Sequence, residues 1–324
     1  MSSPIRRATD RRIKAHMTSA KAPRADDSVR SARGFLIADT PVPAATLGPG
    51  LYVVSTPIGN LADVTLRALA ILAGADAILA EDTRVSRALL MRYGIERPLS
   101  PYHEHNAAEA RPRALRRIAE GQALALISDA GTPLISDPGY KLVAEAIAEG
   151  FAVTVAPGPS AALAALCVAG LPTDRFYFEG FLPARGAARR ERINALAAVP
   201  GTLIFYESPG RLAETLADLA LELGARPAAV ARELTKLHEE VRRGPLDGLA
   251  AEYSAREPPR GEIVIVVGAG EARPSISEDA LDREIALSLQ KLSVRDAAAA
   301  VAAKHGLPRR EVYARALALA GAQR

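Results

Sequence analysis

Three short segments of this chain pair small-ligand chemistry with a repeating order of residue types. Ser55-Thr56-Pro57-Ile58-Gly59 follows the apolar run Leu51-Tyr52-Val53-Val54. Ser128-Asp129-Ala130-Gly131-Thr132 follows Leu124-Ala125-Leu126-Ile127, and Pro157-Gly158-Pro159-Ser160 follows Val153-Thr154-Val155-Ala156. A strand that runs into a Gly/Pro loop presents main-chain N–H and C=O groups beyond the sheet. Three such loops within about a hundred residues point to one cleft built for a small polar ligand. Proline offers a carbonyl without a donor, which suits an uncharged or zwitterionic ligand better than a polyphosphate.

Several chemistries are excluded or disfavoured by what is missing. No Gly-x-x-x-x-Gly-Lys-Ser/Thr is present, which argues against P-loop phosphoryl transfer, and no Gly-x-Gly-x-x-Gly follows the first strand. His103-Glu104-His105-Asn106 invites a metal reading, but residues two apart share a face only on a strand, and one pair is too few for a closed zinc site. No metal is therefore expected, and RNA contact or loop hydrogen bonding accounts for the segment. The single cysteine, Cys167, permits no intrachain disulfide, and its apolar helical stretch leads to the expectation of a packed thiol.

The elements that must position the loops follow from hydrophobic periodicity. Strand patterns at 51–55, 77–80, 123–127 and 152–155 alternate with helical patterns at 64–73, 86–93, 107–120, 140–149 and 160–168. Gly94, Gly121 and Gly150 stand where helices should stop. This rhythm predicts an α/β fold with a mostly parallel sheet covered on both faces. After Gly170-Leu171-Pro172 a second α/β pattern begins, with strands at 176–178, 202–206, 228–232 and 263–267, an extended stretch at 237–243, and helices at 187–198, 211–223 and 246–253. Beyond a linker at 268–277, helical patterns at 281–290, 294–304 and 309–320 make a helix-turn-helix candidate. The expected organisation is a disordered basic extension at 1–49, α/β domains at 50–170 and 171–270, and a helical appendage at 278–324.

The 324 residues carry a net charge of +4, unevenly spread. Residues 1–49 hold nine Lys/Arg against four Asp/Glu, so the body is close to neutral. An Arg/Ser-rich leader can resemble a transit peptide, but its acids and lack of an amphipathic repeat fit an electrostatic arm, or a start upstream of Met17, equally well. No apolar run approaches the roughly 20 residues needed to span a bilayer, and no secretory core is present, so a cytoplasmic location is expected. From Lys291 onward seven Lys/Arg face two Asp/Glu, which suits either nucleic-acid contact or a packing appendage.

Ser55-Thr56-Pro57-Ile58-Gly59-Asn60-Leu61-Ala62-Asp63-Val64-Thr65-Leu66-Arg67-Ala68-Leu69 resembles the opening of the tetrapyrrole-methylase superfamily, the class III methyltransferases. Ala80-Glu81-Asp82-Thr83-Arg84, the run from Ser128 to Tyr140, Pro157-Gly158-Pro159-Ser160, Glu179-Gly180-Phe181-Leu182-Pro183, Phe205-Tyr206-Glu207-Ser208-Pro209 and Ala231-Arg232-Glu233-Leu234-Thr235-Lys236 narrow the likeness. They resemble the branch that methylates the ribose 2′-hydroxyl of a cytidine in 16S ribosomal RNA. The resemblance covers residues 51 to about 320 and implies two α/β domains with S-adenosylmethionine in the cleft between them. It places Thr56, Pro57, Ile58 and Gly59 with Asp129, Ala130, Gly131 and Thr132 in the lining of that pocket, and Pro157, Gly158 and Ser160 in the wall beside the adenosine. It also implies a homodimer and an assembled small ribosomal subunit as substrate.

The implied chemistry is in-line attack of a ribose hydroxyl on a methyl carbon, for which the protein aligns the reactants and helps remove a proton. Lysine is scarce between residues 50 and 290, where only Lys141 and Lys236 occur. Lys can be tuned to lose its proton and arginine cannot, so Lys236 is the first candidate base. Glu81 and Asp82 are alternatives, with capping of the following helix as their structural reading. Arg185, Arg189, Arg190 and Arg192 form a candidate phosphate-facing patch that Arg84, Arg87 and Arg211 could extend, a solvated helix face being the alternative. Two other readings stay open: another small-molecule methylase of the superfamily, and a non-catalytic ribosome-assembly factor.

Overall fold

The computed structural model describes residues 33–270, 277–305, 307 and 309–322, and the chain divides into two compact units between residues 161 and 162. The first unit is built on a five-stranded parallel sheet. Its strands are β3 (Gly50–Val54), β4 (Ala77–Ala80), β5 (Leu99–Pro101), β6 (Ala123–Ile127) and β7 (Val153–Ala156), in the order β5-β4-β6-β3-β7. β4 and β6 are buried at every position, which is why they read as unbroken apolar runs. β5 breaks that pattern: its sequence Leu-Ser-Pro carries no periodic signal, and its place at the sheet edge needs none.

The helices α1 (Leu66–Gly74), α2 (Thr83–Arg92), α3 (Ala107–Ala119) and α4 (Tyr140–Ala148) connect these strands, and α5 (Ala161–Ala169) follows the last. Where one helix was expected at 64–73, a short 3-10 turn at Leu61–Asp63 precedes α1. Asn60 caps the turn and the Thr65 hydroxyl, accepting from Ala68 N, restarts the helix.

The expectation of disorder across residues 1–49 is corrected for its described part, residues 33–49; residues 1–32 lie outside the described residues. β1 (Gly34–Ile37) and β2 (Thr40–Pro43) form an antiparallel hairpin turned by Ala38 and Asp39, both in the left-handed region. Phe35 buries into the α1 core, and Arg33 pairs with Asp76 at 3.1 Å. Burial of one aromatic face holds a segment whose composition looks disordered.

The second unit carries a mixed sheet of β8 (Phe176–Phe181), β9 (Thr202–Glu207), β10 (Pro227–Arg232), β11 (Glu240–Pro245) and β12 (Ile263–Val267), in the order β11-β10-β12-β9-β8. Only β8 and β9 run parallel; the other pairings are antiparallel. α6 (Gly186–Leu196), α7 (Leu212–Leu223) and α8 (Leu246–Ser254) share its core through Leu196, Leu216, Leu249, Phe205 and Ile265. α9 (Glu278–Leu289), α10 (Val294–His305) and α11 (Arg309–Ala322) close around Ile285, Val301, Val312 and Ala316. Among the described residues no helix is long and apolar enough to cross a membrane.

Candidate functional site

Because every strand of the first sheet is parallel, all five C-terminal ends open on one edge. The loops leaving β3, β6 and β7 are laced together there by hydroxyls and main chain. Thr56 N donates to Gly131 O at 2.8 Å and Gly131 N returns a bond to Thr56 O at 3.1 Å. The Thr56 hydroxyl donates to Ser128 O at 3.1 Å. Ser55 and Thr132 hydroxyls meet at 3.0 Å, and Thr132 Oγ1 donates to Pro159 O at 3.0 Å. Two glycines permit this approach. A Cβ on Gly158 would lie 2.8 Å from Ser55 Cβ, and Gly131 has φ +82° with a Cβ position 3.2 Å from Ile58 Cγ2.

The lacing divides the lining residues expected from sequence into two sets. Thr56, Pro57, Ile58 and Gly131 are buried and brace the loops. Gly59, Ala130, Pro157 and Gly158 are exposed, while Asp129, Thr132 and Ser160 are half-buried. What the loops leave open is therefore mostly main chain.

Carboxylates gather at the neighbouring strand ends. Asp129 Oδ1 accepts the Asp82 N–H at 2.7 Å and ties the end of β6 to that of β4. Asp82 caps α2, accepting from Arg84 N at 2.8 Å and from the Arg84 guanidinium. Those Arg84 side-chain and main-chain bonds hold its carboxyl down at about 2, in keeping with its place as the helix cap. Glu81 differs: burial, and then the nearby Asp129 charge, raise it above the ordinary carboxylate range, while His103 pulls the other way.

Asp137 was not singled out by its sequence context. Burial and the Glu81 charge push its carboxyl up to about 6, with the Ser128 hydroxyl acting in opposition. Leu134 and Ser136 both have positive φ (75° and 65°), a sparsely allowed conformation for residues with a Cβ. The run Ser-Asp-Pro-Gly marked a turn, but nothing in it told which way the carboxylate faces. Among the described residues no group of three or more side chains is arranged to hold a metal ion.

The remaining candidates lie in the second unit. Lys236 Nζ sits 2.9 Å from Glu233 and 3.1 Å from Glu262. Burial alone would lower its pKa, but the two carboxylates outweigh it and the net shift is upward. Both ion pairs favour the protonated lysine, which weighs against the role as base expected of it. Arg189, expected on a phosphate-facing patch, is fully buried and pairs with Asp218 at 2.7 Å and Glu214 at 2.8 Å. Arg211 is a brace: it donates to Leu182 O at 2.9 Å and pairs with the buried Glu207 at 3.3 Å. Arg87, Arg185, Arg190 and Arg84 are exposed, though Arg84 spends its guanidinium on Asp82 and Arg190 pairs with Asp218 at 3.4 Å.

Residues 50–250 match the family described as Tetrapyrrole (Corrin/Porphyrin) Methylases, and residues 275–320 match the RsmI C-terminal HTH domain. Ribosomal RNA small subunit methyltransferase I of Mesorhizobium japonicum is 52% identical over 285 residues, covering 88% of this chain and 97% of its own length. The protein of the same name from Pseudomonas aeruginosa is 48% identical over 275 residues, covering 82% and 96%. The crystal structure of diphthine synthase matches with a TM-score of 0.54 at 15% identity, over 67% of this chain and 89% of that one, a likeness of fold alone. With a family match over most of the chain and relatives of nearly equal length, this chain belongs to the tetrapyrrole methylases, in the ribosomal RNA small subunit methyltransferase I family.

Proposed function

We propose that this protein transfers a methyl group from S-adenosylmethionine to the ribose 2′-hydroxyl of a cytidine in 16S ribosomal RNA. The observation that carries the reading is the laced edge of the first sheet. Three loops converge, their side chains spent on one another, and leave main-chain groups and half-buried carboxylates facing outward. S-adenosylmethionine supplies an electrophilic methyl carbon on a cationic sulfur. Carbonyl oxygens and carboxylates suit that cation.

Gly59, Ala130 and Gly158 offer the main-chain groups that hold and orient the donor, while Asp129 and Thr132 fix their spacing. Glu81 is the proton acceptor the edge favours, since Asp82 is engaged as a cap and Lys236 is ion-paired. Arg87, Arg185 and Arg190, with the basic C-terminal helices, provide cations for RNA phosphates. The reading extends to a homodimer acting on assembled small subunits, as the resemblance implies, and to a cytoplasmic location.

The test is methyl transfer from labelled S-adenosylmethionine to small subunits lacking the modification, with the product nucleoside identified after digestion. The expected result is one 2′-O-methylcytidine per subunit. Donor binding with transfer only to a small-molecule acceptor would replace this reading with a small-molecule methylase; no donor binding at all would leave a scaffold.

A further inference from the structure

We propose that Phe178, Phe181 and Tyr206 form a stacking platform for an unpaired base of the RNA, with Arg185 receiving an adjoining phosphate. The inference rests on the RNA methylation proposed above and names how that substrate is gripped. It begins with the uneven use of a scarce residue type. Aromatic residues make up 4% of the chain, yet three of its six phenylalanines, Phe176, Phe178 and Phe181, stand on the edge strand β8. Phe181 is 56% exposed and Phe176 46%.

A bulge aims these rings. On β9, Leu203 and Phe205 enter the core shared with α6 and α7, so Ile204 and Tyr206 face the opposite side of the sheet. Phe178 pairs with Ile204 and Phe181 with Tyr206, and the register shifts between Phe178 and Gly180, whose φ is +77°. In a regular strand, side chains three residues apart point to opposite faces. With Glu179 as the extra residue, Phe178 and Phe181 both meet Tyr206, their ring centroids 4.9 and 5.7 Å from it and their planes inclined at 70° and 66°. The other face of β8 is anchored: Arg192 of α6 donates to Glu179 at 2.6 and 2.7 Å and to the Tyr177 hydroxyl at 3.2 Å. Arg211 donates to Leu182 O and Pro183 O at 2.9 and 3.2 Å and pairs with Glu207 at 3.3 Å. One guanidinium thus fixes the chain just beyond both Phe181 and Tyr206.

An aromatic cluster held this rigidly and left half open suits a flat partner, and charge selects which one. The acid of the strand, Glu179, is spent on Arg192, and Asp174 stands beside Arg175 where the strand begins. Arg185, four residues beyond Phe181, is exposed, and among the described residues it is in no ion pair. A ring with a cation after it complements a nucleic-acid strand, in which each flat base adjoins a phosphate. A second copy docking by this face would bring another Arg185 where an RNA strand brings a phosphate. Bases within a duplex are stacked on one another, so the base that fits is an unpaired one.

The experiment uses the full chain, which contains no tryptophan, so Phe181→Trp places a single fluorescent reporter on the platform. Its emission is followed as a short single-stranded oligoribonucleotide containing cytidine, or a duplex of the same length, is added. In parallel, kcat and KM on small subunits lacking the methyl group, thermal midpoint and sedimentation are measured for wild type, Phe181→Ala, Phe181→Leu and Phe181→Trp. Expected are saturable quenching by the single strand and none by the duplex, with KM raised about 10-fold in Phe181→Ala and Phe181→Leu and within about threefold of wild type in Phe181→Trp. The kcat values should stay within about threefold, and the KM ratio should not vary with salt, because stacking releases no counterions. Absent quenching, an unchanged KM in Phe181→Ala, or a wild-type KM in Phe181→Leu would overturn the proposal. So would a change of oligomeric state in Phe181→Ala, which would assign the face to a second copy. If Phe181→Ala fails to fold, Phe181→Leu and Phe181→Trp decide by the same criteria. Transfer by wild type without quenching, and with KM unmoved in the variants, rejects the platform and spares the methyltransferase reading; quenching without transfer by wild type keeps the platform and rejects that reading.

Discussion

Thr56 and Gly131 exchange a pair of main-chain hydrogen bonds, 2.8 Å one way and 3.1 Å the other, joining loops that lie 75 residues apart in sequence. That isolated antiparallel bridge sits beyond the end of a parallel sheet, so it belongs to the loops and not to the strands. The Thr132 hydroxyl extends it to Pro159. Thr132→Val keeps the shape and removes the tie. It should cost about 1 kcal/mol of stability and weaken donor binding by roughly 5-fold, with kcat at saturation little changed. Calorimetric titration with S-adenosylhomocysteine reads the first effect on binding; unaltered affinity would show that the third loop needs no tether.

Gly158 has a sharper expected outcome. An added Cβ would come 2.8 Å from Ser55 Cβ, a separation that real contacts do not show. Gly158→Ala must push the third loop away from the first, costing about 1–3 kcal/mol and abolishing measurable donor binding. Gly121→Ala meets nothing within 4 Å but has φ +91°, so it should be mildly destabilising and leave binding intact.

Asp137 makes stability depend on pH. Its folded carboxyl titrates at about 6, above the value of about 3.9 for an unfolded chain. The folded state holds the proton across that window and the unfolded state does not, so stability from this group is full below about 4 and is lost as pH rises through about 6. Asp137→Asn should therefore stabilise the protein at pH 7.5, by on the order of 1 kcal/mol once solvent screening is allowed for, and give no gain at pH 4. Thermal midpoints at the two pH values check this; an equal gain at both would mean that charge is not the cause.

The two classes of arginine separate cleanly by measurement. Arg189→Ala empties a fully buried position and leaves Asp218 only its longer pairing with Arg190 at 3.4 Å, and should cost about 3 kcal/mol. Arg185→Ala and Arg190→Ala should leave the thermal midpoint within about a degree, but weaken RNA binding and flatten its salt dependence. Salt-dependent binding that persists unchanged in the Arg185/Arg190 double variant would assign those residues to a solvated face.

Most of the first sheet was legible because its strands are buried on both faces and read as apolar runs bounded by glycine. β4 and β6, and β12 of the second sheet, occupy the spans expected of them, 77–80, 123–127 and 263–267. The hairpin at 34–43 and the strand at Leu99–Pro101 were not legible, because each is held by partners distant in sequence and not by its own periodicity. The helices after α9 were visible from their spacing alone.

At the candidate site the division is physical. Residue types and local order determined that three glycine-proline loops end three strands, since turn chemistry is set by φ and by the loss of a proline donor. Only the tertiary structure decided which polar groups remain open. Asp82 and Glu81 are neighbours in sequence, yet one caps a helix, while among the described residues no hydrogen bond reaches the carboxylate of the other. Arg189 and Arg190 are adjacent too, and the helix turns one into the core and the other toward solvent. Charge, burial and hydrogen bonding act through space, so the protonation and availability of a side chain follow from its neighbours in the fold and not from its neighbours in the chain.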